Sequence, residues 1–352
     1  MPRLTLDFHA WLRSASERLD PGNAWPDEQV ERLRSAGVLQ WTVPRRFGGQ
    51  ELPEPELLRG YLDLSRSCLT TAFLLTQHNA AVQRLVSGSE NDWAAALLTA
   101  VARDGAWCTV GISHFSTSRQ HLQRPVVAAD QSPDGTWRLN GCVPWVTGAA
   151  HADWLVTGGA LPDGRQVLLG VERGSPGVTI ETPLPLMALN ATQTGRVHLG
   201  QVRVPADRVV AGPADQVMKV GTKGGTGSLS TSVLALGTAL GILDRLNEEV
   251  QSRETLREVV SLLRSEADGL QTGLLTATAL EQGSAGSAEE LRFRANSLVS
   301  RTSQAYLAAC KGAGYVQGHP AERAIREAMF FQVWSCPQAV VNSTLNDLTC
   351  RD

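Results

Sequence analysis

Hydrophobic residues recur at two different periods along this chain, and the change of period divides it into three regions. From Leu4 to about Gly105 the spacing is helical: Leu6, Trp11, Leu12 and Leu19 fall along one stripe, and Val30, Leu33 and Val38 along another. Pro44, Gly48 and Gly49 break that pattern. Three more helices are predicted beyond them, around Glu54–Ser67, Thr70–Ser87 and Asn91–Arg103. From Ala106 to about Pro213 the period drops to two. Turn signals at Asp134-Gly135, Asn140-Gly141, Asp163-Gly164 and Pro176-Gly177 separate short apolar runs such as Gln166–Val171. Dense turns between short strands predict a small antiparallel barrel or sandwich. After a glycine-rich stretch, Val220–Gly227, helical stripes return over Leu234–Leu246, Leu256–Leu280, Leu291–Ala309 and Ala324–Leu348, enough for a four-helix bundle. The expected class is α+β: a helical N-terminal domain over residues 1–105, a central β-domain over 106–215 and a helical bundle over 216–352.

Composition narrows the function classes. The 352 residues are 42% hydrophobic and 19% charged, ordinary for a globular protein with a large core. Basic residues number 32 and are interspersed with 35 acidic ones, giving a net charge of −3 and no basic stripe for nucleic acid or an anionic membrane. No clean apolar run of about eighteen residues predicts a membrane span, and Met1–Asp7 does not read as a secretion signal. The six cysteines never fall as Cys-x-x-Cys and the seven histidines are scattered, so neither a metal site nor a disulfide framework is expected. A reducing cytoplasm is the expected setting.

The most specific local pattern lies at residues 139–149, with a turn at Asn140-Gly141, a half-buried strand and a second turn at Gly148, followed by a strand through Trp154-Leu155-Val156. Within it, Trp145-Val146-Thr147-Gly148-Ala149 resembles the Trp-Ile-Thr-Asn-Ala segment of the acyl-CoA dehydrogenase family, a flavin-dependent group. Four other segments resemble that family in the same order along the chain. They are Gly37–Gly49 with its Val43-Pro44 and Phe47-Gly48-Gly49, Gln77-His78-Asn79, Val202-Arg203-Val204-Pro205, and Gly312-Ala313-Gly314-Tyr315 followed by Pro320, Glu322-Arg323 and Arg326.

The resemblance implies a flavin, FAD or alternatively FMN, lying against Trp145 and Thr147 and contacted by Ile112, Ser113 and Ser118. It implies a homodimer or homotetramer in which the Gly312 and Gly314 segment of a neighbour completes the pocket. It also implies a small-molecule substrate such as an acyl-CoA. His78, among Leu74, Leu75, Ala80 and Ala81, reads as a hydrogen-bonded structural histidine.

The family's CH–CH oxidation requires a carboxylate to take the proton α to the thioester. Ser335 and Thr231 align with the two places that carboxylate usually occupies, and a serine hydroxyl is a poor base without activation. Glu327 aligns with a structural acidic residue. His114 and Arg119 replace two acidic residues at the entry to the β-domain. These departures leave three readings: a dehydrogenase with a relocated base, a flavin monooxygenase or oxidase in which His114 and Ser113 hydrogen-bond oxygen at the ring, and a binding protein that keeps the fold without the reaction. The glycine-rich Gly221–Gly227 has no Gly-Lys-Ser/Thr and no plain preceding strand, so it is not read as a phosphate loop.

Overall fold

A computed structural model describes residues 4–19, 22–88, 90–116, 125–221, 229–251, 253–279 and 287–349. Five helices come first: α1 (Leu6–Leu19), α2 (Asp27–Ser35), α3 (Glu54–Ser67), α4 (Leu69–Ser87) and α5 (Asp92–Asp104). The last three coincide with the predicted spans to within a residue. Each has a physical stop or start. Asn91 caps α5 by accepting from the Trp93 N–H, and Gly105 ends it in the left-handed conformation.

The C-terminal helices are α7 (Leu229–Val250), α8 (Arg257–Ala279), α9 (Ala288–Gly314), α10 (Pro320–Val333) and α11 (Gln338–Leu348). The fourth predicted stripe is therefore two helices. Pro337 cannot continue α10 and Ser335 turns the chain at φ 46°, so the stripe breaks between Trp334 and Pro337. By length and composition alone, helix α7 could cross a membrane. However, 72% of its apolar window is buried within the fold, where it packs on α3, α8 and α9 as a core helix.

Between the helical regions the described residues form a four-residue helix, α6 (Ser113–Ser116), and eight strands. The strands are β1 (Cys108–Gly111), β2 (Val127–Gln131), β3 (Trp137–Val146), β4 (Trp154–Ala160), β5 (Gln166–Glu172), β6 (Val178–Ile180), β7 (Gly195–Val204) and β8 (Val209–Ala214). They form one sheet, seven of them in the order β6-β7-β3-β2-β4-β5-β8 and β1 off that path beside β4. The sheet is mixed, which corrects the antiparallel expectation. β4 pairs antiparallel with β5 along one edge. Its other edge is shared: β1 runs parallel to Trp154–Thr157, and β2 takes over in parallel at Ala160. Alternation within a strand shows which face is buried but not which neighbour lies beside it, so the period of two could not reveal the parallel pairs.

Three hydrophobic clusters hold the molecule together. One unites the N-terminal helices with the C-terminal bundle. A second joins α4 and α5 to β1 and β8, and a third lies inside the sheet around Trp137, Val143 and Leu169. Helix α4 belongs to two of them. Leu69, Phe73, Leu74 and Leu75 sit in the first, while Ala81, Val82 and Leu85 sit in the second.

Candidate functional site

The site forms where β1 and β3 end side by side. Pro144 has no N–H to give the ladder, and the β3–β7 register shifts between Val143 and Val146. That irregularity leaves Val143 and Val146 fully buried while Trp145 stands 50% exposed between them. The end of β1 is pressed against the same two valines, since a Cβ on Gly111 would lie 3.0 Å from Val143 and 3.1 Å from Val146. Ile112 and Ser113 follow directly, half-buried, and α6 packs against β3. The structure thus brings together Ile112, Ser113, Trp145 and Thr147. Ser118 and Arg119 lie outside the described residues.

Buried threonine hydroxyls fix both strand ends. Thr109 Oγ1 donates to the Thr147 carbonyl at 2.7 Å, and Thr157 Oγ1 donates to the Gly111 carbonyl at 2.6 Å. The Thr147 hydroxyl lies 3.0 Å from that of Thr194, which lies 2.8 Å from that of Thr192. The turn beyond Thr147 rests on the helical layer, because a Cβ on Gly148 would fall 2.7 Å from the Trp25 ring and 3.7 Å from Leu74 of α4. Trp25 in turn stacks on His151 with ring centroids 4.2 Å apart. Sequence reasoning missed Thr192, Thr194, Thr109 and Thr157, since threonine in a strand is unremarkable until its hydroxyl partner is known.

His114 is buried, and its Nε2 donates to the Gly158 carbonyl at 3.0 Å. Gly158 sits where β4 passes from β1 to β2, so this side chain bonds a carbonyl in the interval between the two parallel neighbours. Burial lowers the His114 pKa to about 4, and the Gly158 bond only partly opposes this. A neutral ring whose Nε2 already donates is not free to donate there to a ligand, which narrows the role expected of it.

His78 is the structural histidine the sequence suggested. Its Nδ1 accepts from the Cys108 N–H at 3.2 Å and its Nε2 lies 3.3 Å from the Leu39 carbonyl, tying α4 to the start of β1.

The remaining positions lie in the helical layers. Thr231 and Ser232 are buried in the first turns of α7. Ser335 is in the turn after α10, beside Trp334, whose indole stacks on Phe330 and meets Phe73 of α4 edge-on. Both glutamates of α10 are ion-paired: Glu327 with Arg323 at 2.7 Å, and Glu322 with Arg326, which also donates to the Met187 carbonyl at 3.1 Å. Gly312 and Gly314 fall at the end of α9, past a non-helical kink at Lys311. Among the described residues, and apart from its own helix backbone and chain neighbours, nothing lies within 4 Å of a Cβ placed on Gly312, and the nearby Tyr315 and Val316 are 82% and 63% exposed. Of the glycine-rich stretch only Val220 and Gly221 are described.

No protein-family model matches the chain. Across its whole length the structure is similar to butyryl-CoA dehydrogenase from Megasphaera elsdenii, with a TM-score of 0.82 at 16% identity over 99% of both chains. This is the acyl-CoA dehydrogenase fold. At that identity the likeness is one of fold, and the fold is that of a family of flavoproteins. Among curated proteins, this acyl-CoA dehydrogenase-like chain is 21% identical to acryloyl-CoA reductase (NADH) of Anaerotignum propionicum over 346 residues, covering 92% of the chain and 86% of that protein. It is 26% identical to dibenzothiophene monooxygenase of Rhodococcus qingshengii over 257 residues, 69% of the chain, and that match spans 60% of the monooxygenase.

Proposed function

We propose that this protein is a flavin-dependent oxidoreductase of the acyl-CoA dehydrogenase type, with FAD as cofactor and FMN as the alternative. The observation that carries the reading is Trp145, a half-exposed indole held between two fully buried valines at the meeting of two strand ends. A large aromatic in that setting presents a face that a planar ring covers well, and such stacking contributes about 0.5–1.5 kcal/mol beyond area burial. Ile112 and Ser113 would bound one side of that ring and Thr147 would approach its edge. Ser118, Gly312 and Gly314 would contribute as the resemblance implies. When bound, flavin supplies hydride acceptance from substrate or, once reduced, reaction with oxygen. The exposed Tyr315 and Val316 beside Gly312 suit a second copy of the chain, and a homo-oligomer in the cytoplasm belongs to the same reading.

Oxidation of an acyl thioester needs a free carboxylate at the substrate. One observation favours monooxygenation as a second reading: Glu322 and Glu327 are both held by arginines, and the resemblance aligns Ser335 and Thr231 with the positions of the base. Oxygen chemistry does not require that base.

The test is the absorption spectrum of the purified protein, followed by separation of whatever it releases and by light scattering of the same sample. We expect FAD or FMN, in an oligomer, with binding weakened about tenfold in Trp145→Ala. Bleaching by an acyl-CoA selects the dehydrogenase. Oxygen-dependent product formation with reduced flavin selects the monooxygenase. A colourless protein with no thermal shift from either flavin overturns the proposal in favour of a binding protein.

A further inference from the structure

Two hollows lie apart from the Trp145 strand ends, among the helices that join the N-terminal region to the bundle. The smaller, of about 140 Å³, is walled by α1, α3, α7, α10 and the Cys68 turn between α3 and α4. Its charged walls are four arginines, Arg13, Arg66, Arg245 and Arg323, against two glutamates, Glu17 and Glu327. The carboxylates around it are already divided. Asp244 accepts from Arg13 at 3.1 Å, from Arg66 at 2.6 and 2.8 Å and from Arg264 at 2.9 Å, so three guanidiniums share it. Asp63 and Glu248 also neighbour Arg66 and Arg13, but both are exposed, where water screens them. Among the described residues the Arg245 guanidinium gives one hydrogen bond, from Nη2 to Glu17 at 2.7 Å, and it has five N–H groups to give.

Two helices begin at the same cavity. Cys68 and Leu69 open α4, Gly318 and Pro320 lead into α10, and all four residues line the space. These helices of 19 and 14 residues leave N–H groups without intrahelical acceptors in their first turns, where each carries a partial positive charge. The cap of α4 brings no compensating anion. The Cys68 sulfur takes the Thr71 N–H at 3.5 Å, and burial pushes its thiol pKa up. Helix α3 ends here too, but its carbonyls are occupied: Asp63 accepts from the Ser67 hydroxyl, Leu64 from the Cys68 N–H, and Arg66 lies against Gly241.

We infer that this cavity is a binding site for a small tetrahedral oxyanion of the phosphate class. Guanidinium forks and helix N-termini both suit that charge and shape. One water needs about 10–15 Å³ of such space, so there is room for an ion several times larger. The larger hollow, an open groove of about 1030 Å³ along α1 and α3, shares Arg13, Arg66 and Ser67 with the cavity. The same oxyanion could therefore be a free ion or the head of a phosphate monoester whose remainder lies in the groove. The inference is independent of the flavin, because none of Ile112, Ser113, Trp145 and Thr147 lines either hollow.

The test is titration calorimetry and thermal melting of the full chain with sodium phosphate, at an ionic strength held constant with sodium chloride. The wild type should bind saturably and melt at a higher temperature. Arg245→Gln should weaken phosphate binding about tenfold or more, the worth of one hydrogen bond to a charged group. Arg245→Lys keeps the charge and should lose less. Arg13→Gln, on α1, carries the test if Arg245→Gln does not fold. Phenyl phosphate binding more tightly than phosphate assigns the groove to a monoester's remainder, and equal or weaker binding assigns the cavity to the free ion. Equal phosphate affinity in the wild type and both glutamine variants places the ion elsewhere and overturns the inference. So does a wild type that responds to phosphate no more than to chloride.

Discussion

At the scale of single residues, the most informative group outside the site is His78. Burial lowers its pKa to about 4, outweighing the bonds to Leu39 and Cys108 that partly oppose it. The unfolded chain takes up a proton near the ordinary value of about 6.5, the folded one only near 4. Stability from this residue is therefore complete above about pH 6.5 and is lost as the pH falls from there towards 4. The difference is worth up to ~3 kcal/mol at the acid end. His78→Gln can imitate both bonds without titrating. Its melting temperature should fall less steeply than that of the wild type between pH 6.5 and 4, and parallel slopes would rule the account out. His78 is legible in the sequence because leucines and alanines surround it on a helix. The Thr147–Thr194–Thr192 chain is not, because residues 147 and 194 become neighbours only when β3 pairs with β7.

At the scale of elements, the crossing of α3 and α7 sets how closely the N-terminal helices approach the bundle. A Cβ on Gly241 would lie 2.2 Å from the Arg66 carbonyl oxygen, and one on Gly237 would lie 2.5 Å from that of Leu62. Backbone oxygens cannot rotate aside as side chains do. Gly241→Ala should therefore force the helices apart and destabilise the fold by about 1–3 kcal/mol, the usual cost of overpacking. Chemical denaturation giving a wild-type midpoint would show that the crossing has slack. The stripe Leu234–Leu246 is enough to place α7 and its buried face in advance. Which helix presses on its glycines depends on partners a hundred and seventy residues upstream, where the sequence shows only another amphipathic stripe. The break between α10 and α11 was within reach, since Pro337 marks it. The apolar stripe ran on past the proline and hid the signal.

For the molecule as a whole, the order helices, strands, helices follows from the two hydrophobic periods, and the resemblance pointed to the strand ends that meet at Trp145. The parallel insertion of β1 beside β4 does not follow, because β1 pairs with residues some forty positions away across an intervening hairpin. The carboxylates of α10 also needed the structure: the sequence shows Glu322, Arg323, Arg326 and Glu327 in a row, and only the helix reveals that they neutralise one another at i,i+4.

Helix α4, with one half in each of two hydrophobic clusters, bears on how the protein melts. Between those halves lie Thr76, Gln77, His78 and Asn79, so one rigid rod spans from the bundle to the sheet. Heat cannot free the sheet layer without stripping the lower half of that rod, nor the bundle without stripping the upper half. Three regions with separate textures should therefore share a single calorimetric peak whose calorimetric and van't Hoff enthalpies agree. Two resolved peaks would mean that the rod parts in its polar middle.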